Sequence, residues 1–183
     1  MIRPAMILAV LLLAAPALAG PVEFAPPKEW KKEEPTSKMR KFQWSVPKAE
    51  GDDRDGLVVV YYFGRSGGTV EDNIKRWKEQ VTQGEGDPAP KKTERTCGGL
   101  KVTVYDQVGT YAPPAFGPHA PKEEPRPNTR VFNAVVESGE GSYFVKFAGP
   151  KATVTKNEKA FLAFLDGLVA TGAAKGVDEK RTY

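Results

Sequence analysis

Two stretches in the first half of the chain have the residue pattern of β-strands. In "RKFQWSV", Arg40, Phe42, Trp44 and Val46 fall on one face of an extended chain, and the polar residues between them fall on the other. This alternation predicts a strand with one solvated face. Residues 57–63, "LVVVYYF", are apolar on both faces and rich in β-branched and aromatic side chains, which is typical of a strand inside a sheet.

Three more strands are predicted in the second half. The residues from Leu100 to Tyr105 alternate, and this strand can continue through "DQVGTY". The segments "TRVFNAVVES" and "SYFVKFAG" flank Gly139, Glu140 and Gly141, which predicts a β-hairpin with a short turn. Both arms are apolar on both faces, so we expect the hairpin inside the sheet.

Two segments have the period of an α-helix. Within residues 69–83, one apolar stripe is formed by Val70, Ile74, Trp77 and Val81. The second helix is expected to begin near Thr153 or Thr155, either of which could cap it. Its predicted buried face consists of Val154, Phe161, Phe164, Leu165 and Leu168.

Most of the predicted strands are connected by hairpins and turns rather than by helices. The predicted fold class is therefore α+β, with a mostly antiparallel β-sheet flanked by two main α-helices. Residues 20–170 are sufficient for one domain. Residues 171–183 lack apolar periodicity and are predicted to form a flexible C-terminal tail.

The end of this pattern resembles a known family. "SYFVKFAGP" followed by "KATVTKNEKAFLAFLDGLV" is similar to the C-terminal signature of the PsbP-like superfamily, in which a last strand passes through Gly-Pro into a helix with spaced aromatic and leucine residues. "KEWKKEEPTSKMRKFQWSVP" and "LVVVYYFGRSGGTVEDNIKRW" also resemble a group of uncharacterised exported bacterial proteins associated with that fold. The resemblance implies an α/β/α sandwich. Members such as photosystem extrinsic subunits and a Ran-binding nuclear import factor bind other macromolecules, so it also implies a non-catalytic role.

The first residues predict where the protein goes. "MIRPAMILAVLLLAAPALAG" has a positive charge at Arg3, an apolar run over residues 5–15 and small residues ending at Ala19. This arrangement predicts a signal peptide, residues 1–19, that is cleaved to give a periplasmic or extracellular protein. Because a membrane span takes ~20 apolar residues, we expect no stable membrane insertion after cleavage. An uncleaved anchor is the alternative.

Composition narrows the possible partners and cofactors. The chain has 27 Lys+Arg and 23 Asp+Glu, mixed along its length, which argues against a nucleic-acid-binding surface. Cys97 has no second cysteine to pair with inside the chain, although it can pair with another molecule. Cys97 and His119 do not match the sequence pattern of a thiol protease. The segment "GDDRDG" does not match the spacing of a calcium-binding loop. We therefore expect no cofactor and no metal.

The glycine-rich turn in "YYFGRSGGTVEDNIKRW" is the first candidate site. It lacks the lysine of a nucleotide-binding P-loop. Thr69 and Asp72 instead match a helix capping box, with the glycines turning the chain out of the strand. The alternative is an anion site at the helix N-terminus, formed by Arg65, Ser66, Gly67, Gly68 and Thr69.

The second candidate site is a partner-binding surface. Residues 112–127 form a proline-rich irregular stretch, and irregular segments longer than ~12–15 residues are usually functional or disordered. Phe116 and His119 are its candidate contact residues. Trp30, beside Pro27 and Lys28, is expected to be exposed and is the third candidate.

These features favour an exported non-catalytic binding or accessory module that docks a protein or a cell-envelope component through its loops. The alternative is a hydrolase of unfamiliar type with a dispersed active site. A deep cleft with clustered titratable groups would favour the hydrolase. The sequence leaves the oligomeric state open.

Overall fold

The computed structural model describes residues 21–114 and 123–171. The signal peptide, Phe116, His119 and the tail from residue 172 lie outside these residues. The described elements are, in chain order, β1 (Val22–Glu23), β2 (Lys31–Glu33), β3 (Arg40–Val46), β4 (Gly56–Tyr62), α1 (Val70–Lys78), β5 (Val81–Thr82), β6 (Lys91–Cys97), β7 (Leu100–Tyr111), β8 (Arg126–Ser138), β9 (Gly141–Pro150), α2 (Lys151–Asp166) and β10 (Val169–Ala170).

Eight of the strands form one antiparallel sheet. Its order is β2-β3-β4-β9-β8-β7-β5, and β6 pairs with β7 as well. The strands β1 and β10 form a separate two-stranded antiparallel ladder. The prediction of a single α+β domain with a mostly antiparallel sheet and two helices is confirmed.

The two helices cover opposite faces of the sheet. Successive side chains of a strand point to opposite faces, so in β9 Val145 and Phe147 pack in the core beneath α2, whereas Phe144 packs beneath α1. The α2 side holds the larger core, which includes Phe161 and Leu165, both fully buried. On the α1 side, the main cluster consists of Trp77, Tyr105, Val135 and Phe144.

Helix α1 starts where the sequence predicts. The Thr69 side chain accepts a hydrogen bond from the Asp72 amide at 3.1 Å, and Asp72 Oδ2 accepts one from the Thr69 amide at 3.4 Å. The Thr69 hydroxyl also donates to Asp72 Oδ2 at 2.7 Å, and this hydrogen bond, followed by the one from the Thr69 amide, holds the pKa of Asp72 below its ordinary value. The predicted end is wrong, because the Gln80 amide bonds to the Trp77 carbonyl and Val81 pairs with Tyr111 as part of β5.

The predicted caps of α2 are also wrong. The helix begins at Lys151, directly after β9, and Thr153 is fully buried within its first turn. Asp52 Oδ2 accepts hydrogen bonds from the Thr153 amide at 2.8 Å and from its hydroxyl at 2.5 Å. A carboxylate distant in sequence therefore binds one free amide in the first turn of this helix, where the helix dipole favours negative charge.

Strand β3 departs from simple alternation at its first residues. A register shift between Arg40 and Phe42 places Arg40 opposite Tyr61, on the α1 face of the sheet. The prediction that Arg40 shares a face with Phe42 is therefore wrong, because a β-bulge changes the direction of the side chains. Gln43, predicted to be solvated, is buried and accepts a hydrogen bond from Arg40 Nη1 at 2.7 Å.

Trp30 is a core residue rather than an exposed one. Only 6% of its surface is exposed, and its ring centroid lies 5.2 Å from that of Phe164 and 6.2 Å from that of Phe147. The expectation that Trp30 is exposed is wrong, because its ring packs against the aromatic core on the α2 face of the sheet.

The described residues contain no helix that could span a membrane and no candidate metal site. Neither α-helix in the part of the chain that the structure describes has the length and hydropathy to cross a bilayer. Within the same residues, no group of three or more His, Cys, Asp or Glu side chains could hold a metal ion.

Candidate functional site

A cavity of about 120 Å³ lies between helix α1 and the sheet. We call it the α1 cavity. Phe63 and Arg76 on its wall are exposed, whereas Asn133 and Phe144 are buried, so the cavity runs from the surface into the sheet. Its walls are formed by Tyr61, Phe63, Asn73, Arg76, Trp77, Gln80, Pro114, Asn133, Phe144, Val145 and Lys146.

Lys146 is the main polar group of the α1 cavity. It lies on β9 between two residues that face α2, so its own side chain faces α1. Its Nζ donates hydrogen bonds to Gln80 Oε1 at 2.7 Å and to the Tyr111 hydroxyl at 3.1 Å. Burial, together with the smaller effect of the positive charge of Arg40, lowers the pKa of Lys146 from its ordinary 10.5 to about 7.

Asn133 lies directly opposite Lys146 in the ladder of β8 and β9. It is 2% exposed, and its Oδ1 has no hydrogen-bond partner among the described residues. Most buried polar groups in proteins are paired, and leaving one unpaired costs about 1–3 kcal/mol. The cavity therefore offers an unused acceptor beside a buried amine.

Arg76 is positioned at the α1 cavity by the glycine-rich turn. The Asn73 Nδ2 donates to the Gly67 carbonyl at 2.9 Å and to the Thr69 carbonyl at 2.7 Å. The Asn73 Oδ1 accepts a hydrogen bond from Arg76 Nη2. The turn thus fixes Asn73, and Asn73 fixes the guanidinium.

The remaining residues of the predicted anion site have other contacts. Arg65 Nη2 donates to the Gly139 carbonyl at 3.2 Å, and the Ser66 amide donates to the Phe63 carbonyl at 3.1 Å. A Cβ on Gly67 would lie 2.5 Å from the ring of Phe144, so the turn needs glycine for packing. Gly68 has a φ of 77°, which glycine adopts at little cost. The anion site at the helix N-terminus stays a prediction.

The charge and the apolar walls of the α1 cavity indicate which kind of ligand would fit it. The described residues that line it include two basic side chains, Lys146 and Arg76, and no acidic one. The apolar walls are aromatic, with Trp77 and Phe144 deep and Phe63 39% exposed. Such a cavity suits a planar apolar group that carries an oxygen able to accept hydrogen bonds.

A second polar cluster lies on the opposite face of the sheet. Arg130 binds Asp106 through two hydrogen bonds of 3.0 and 2.7 Å and binds Glu158 of α2 at 2.8 Å. These carboxylates raise the pKa of Arg130, with the Asp106 hydrogen bonds as the largest cause. Because its charges are paired, we interpret this cluster as a structural link between α2 and the sheet.

Cys97 has the environment of a packed thiol. It is 1% exposed, and its Sγ lies 3.4 Å from Asp166 Oδ1. Burial raises the pKa of the thiol, and the hydrogen bond to Asp166 raises it as well, although Arg95 opposes them. A nucleophilic cysteine needs the opposite, a lowered pKa.

The polar pair inside the hairpin, Asn133 and Lys146, has a signal in the sequence. Ser138 and Gly141 pair with each other at the turn. Asn133 lies five residues before Ser138 in one apolar arm, and Lys146 lies five residues after Gly141 in the other. Two polar residues at equal distances from a predicted turn face each other across an antiparallel ladder. Gln80 and Tyr111, by contrast, reach Lys146 only through tertiary folding.

Comparisons with known proteins do not assign the chain to a family. No protein-family model matches it, and no curated protein matches it. The arguments about function therefore depend on the geometry described above.

Proposed function

We propose that the protein is an exported, non-catalytic binding module that holds a small molecule in the α1 cavity. The observation that carries the proposal is the buried pair of Asn133, with an unpaired Oδ1, and Lys146, with a buried amine, within an aromatic-walled cavity. Convergent polar groups in an apolar cavity are the usual mark of a ligand site.

The size of the cavity limits the ligand. Its volume of about 120 Å³ is close to the ~150 Å³ of an engineered apolar cavity that binds benzene. We infer a ligand with a single ring or a short planar chain packed against Trp77. An oxygen-bearing group, such as a carbonyl or a carboxylate, lies toward Lys146 and Arg76.

Two further considerations support a binding role. The resemblance to the PsbP-like superfamily favours a non-catalytic protein, and an antiparallel sheet between two helices is compatible with that α/β/α sandwich. Two groups that hydrolases commonly use are a cysteine nucleophile and a carboxylate general base. Cys97 is packed with a raised thiol pKa, and no described residue lining the α1 cavity is a carboxylate.

Docking of a protein or cell-envelope partner through residues 112–127 stays a prediction, because Phe116 and His119 lie outside the described residues. Export also stays a prediction, because the signal peptide, residues 1–19, lies outside the described residues. The absence of a nucleic-acid partner is likewise an expectation from the mixed charges alone.

The proposal is tested with three ring-sized probes: benzoate, benzamide and cyclohexylamine. Binding is measured by NMR chemical-shift titration of residues 20–183. We expect the two oxygen-bearing probes to shift the resonances of Trp77 and Asn133, and the cationic probe to have no effect. If no oxygen-bearing probe shifts these resonances at millimolar concentration, the proposal is wrong.

Two variants make the test specific for the α1 cavity. Asn133→Leu keeps the volume of the side chain but removes its polar group, and Arg76→Met removes the charge at the cavity mouth. Asn133→Leu should weaken the binding of benzamide, whose N–H can donate to Asn133 Oδ1, and Arg76→Met should weaken the binding of benzoate. Each loss should be at least about tenfold, which corresponds to one hydrogen bond of ~1.4 kcal/mol. Lys78→Met, at an exposed position on the same helix, is the matched control and should bind normally.

A further inference from the structure

We propose that Lys146 forms a reversible imine with a small aldehyde or ketone seated in the α1 cavity. This inference rests on the proposed function, because it names the ligand class as a carbonyl compound and the bond that holds it. It adds a covalent step that noncovalent binding does not need.

The position of Lys146 is the first argument. Its amine is held between Gln80 on the segment after α1 and Tyr111 at the end of β7. The contacts come from two different elements, so the nitrogen is oriented. The same side chain lines the cavity wall together with Phe144 and Trp77. A carbonyl group in the cavity therefore lies against an oriented amine.

The charges around Lys146 are the second argument, because only a neutral amine attacks a carbonyl carbon. Arg40 on β3 acts on Lys146 as a like charge, and Arg76 on α1 lines the same cavity. The other titratable neighbours are Tyr61 on β4 and Tyr111 on β7. No carboxylate among the described lining residues is present to hold the ammonium form.

Burial makes a much larger fraction of the Lys146 amine neutral than of a surface lysine. With a pKa of about 7, about half of the Lys146 amines are neutral at pH 7. An ordinary lysine has a pKa of about 10.4, so fewer than about one in a thousand is neutral at that pH. Desolvation of a lysine in an apolar pocket is one of the known ways in which proteins activate this nucleophile.

The chemistry balances without any further reactant. The nitrogen lone pair forms a C–N bond to the carbonyl carbon, and the oxygen takes a proton that the nitrogen loses, which gives a carbinolamine. The C–O bond then breaks, and the oxygen leaves as water with the second proton from nitrogen, which leaves the C=N bond. The Tyr111 hydroxyl, 3.1 Å from Nζ, can relay this proton, because it can donate its own proton to the leaving oxygen and take the second proton from nitrogen in exchange. Burial raises the pKa of Tyr111, so this hydroxyl stays protonated.

The test uses benzaldehyde with sodium cyanoborohydride, which reduces an imine to a stable secondary amine. Residues 20–183 are treated at pH 7 with a small excess of aldehyde, and the benzyl group is located by peptide mass mapping. We expect the Lys146 peptide to be labelled at least about tenfold faster than exposed lysines. Lys146→Met should lose this label, while Lys78→Met should keep it. Labelling that is spread evenly over exposed lysines would overturn the inference.

A second measurement does not depend on the folding of a variant. Lys146 labelling in the unsubstituted protein should change little above pH 7, whereas labelling of exposed lysines should increase about tenfold for each pH step of one. Excess benzoate should slow Lys146 labelling alone.

The outcomes separate the two proposals. If benzoate and benzamide bind at Asn133 but benzaldehyde does not label Lys146, the imine is wrong and the binding function stands. If neither binding nor labelling occurs, both proposals are wrong.

Discussion

Replacing Lys146 with methionine should change how the stability of the protein depends on pH. The substitution keeps the length of the side chain and removes its charge. In the folded protein burial lowers the pKa of Lys146 to about 7, whereas in the unfolded chain a lysine has a pKa of about 10.4. Between these values the unfolded chain holds a proton that the folded protein has released. The free energy of unfolding must therefore rise with pH in this interval.

The size of the effect follows from these two pKa values. Each tenfold change in an acid constant is worth about 1.4 kcal/mol. Below pH 7 the ammonium is charged in both states and its full burial cost is present. From pH 6.5 to 9.5, the wild-type protein should gain about 3 kcal/mol from Lys146 alone. The methionine variant cannot gain it, so the stability of Lys146→Met relative to wild type should fall by the same amount.

The assay is urea unfolding at pH 6.5, 8.0 and 9.5, with free energies taken by linear extrapolation. Subtracting the wild-type value from the variant value at each pH cancels the titration of groups that both proteins share. Lys78→Met, which replaces an exposed lysine, is the control and should give a constant difference. A constant difference for Lys146→Met as well would show that its amine stays charged and hydrated, and the reasoning about the α1 cavity would fail.

Three further predictions use the same unfolding assay. Thr69→Ala should lower the free energy of unfolding by about 1 kcal/mol, because the Asp72 amide loses its acceptor. An unchanged unfolding midpoint would show that α1 does not depend on the Thr69–Asp72 capping box. Arg130→Met should lower the free energy of unfolding by about 3 kcal/mol, because Asp106 and Glu158 lose their partner. Adding Asp106→Leu to this variant should restore part of the lost stability. A further loss of stability in the double variant would contradict this explanation. Cys97→Ser should cost about 1 kcal/mol, because the thiol is buried. A thiol reagent should modify Cys97 only on unfolding, and fast modification of the native protein would disprove its burial.

The elements predicted best are those whose signal is local. The hairpin of β8 and β9 follows from two apolar segments around a Gly-Glu-Gly turn, and the start of α1 follows from one capping box. Strand β6 was not predicted, because "KKTERTC" lies at an edge with most of its residues outside the core and so lacks apolar alternation. The short strands β1, β2 and β10 have two or three residues each, too few for a period to be visible.

The candidate site was predictable only in part. Asn133 and Lys146 face each other because of the hairpin register, which depends on local sequence. Arg40 reaches the α1 face through a β-bulge, and Gln80 and Tyr111 reach Lys146 from 66 and 35 residues away in sequence. Contacts of this kind depend on which strands become neighbours, and periodicity carries no information about that choice.

The ladder of β1 and β10 determines how the domain would respond to mechanical tension. Val22 pairs with Ala170, and the Thr171 amide and hydroxyl both bind the Pro21 carbonyl, at 2.8 and 2.7 Å. The two ends of the described chain therefore leave from the same place. A force applied between them would open this short ladder one hydrogen bond at a time, as a zipper opens, rather than shear it. The large sheet would bear load only after these contacts had separated.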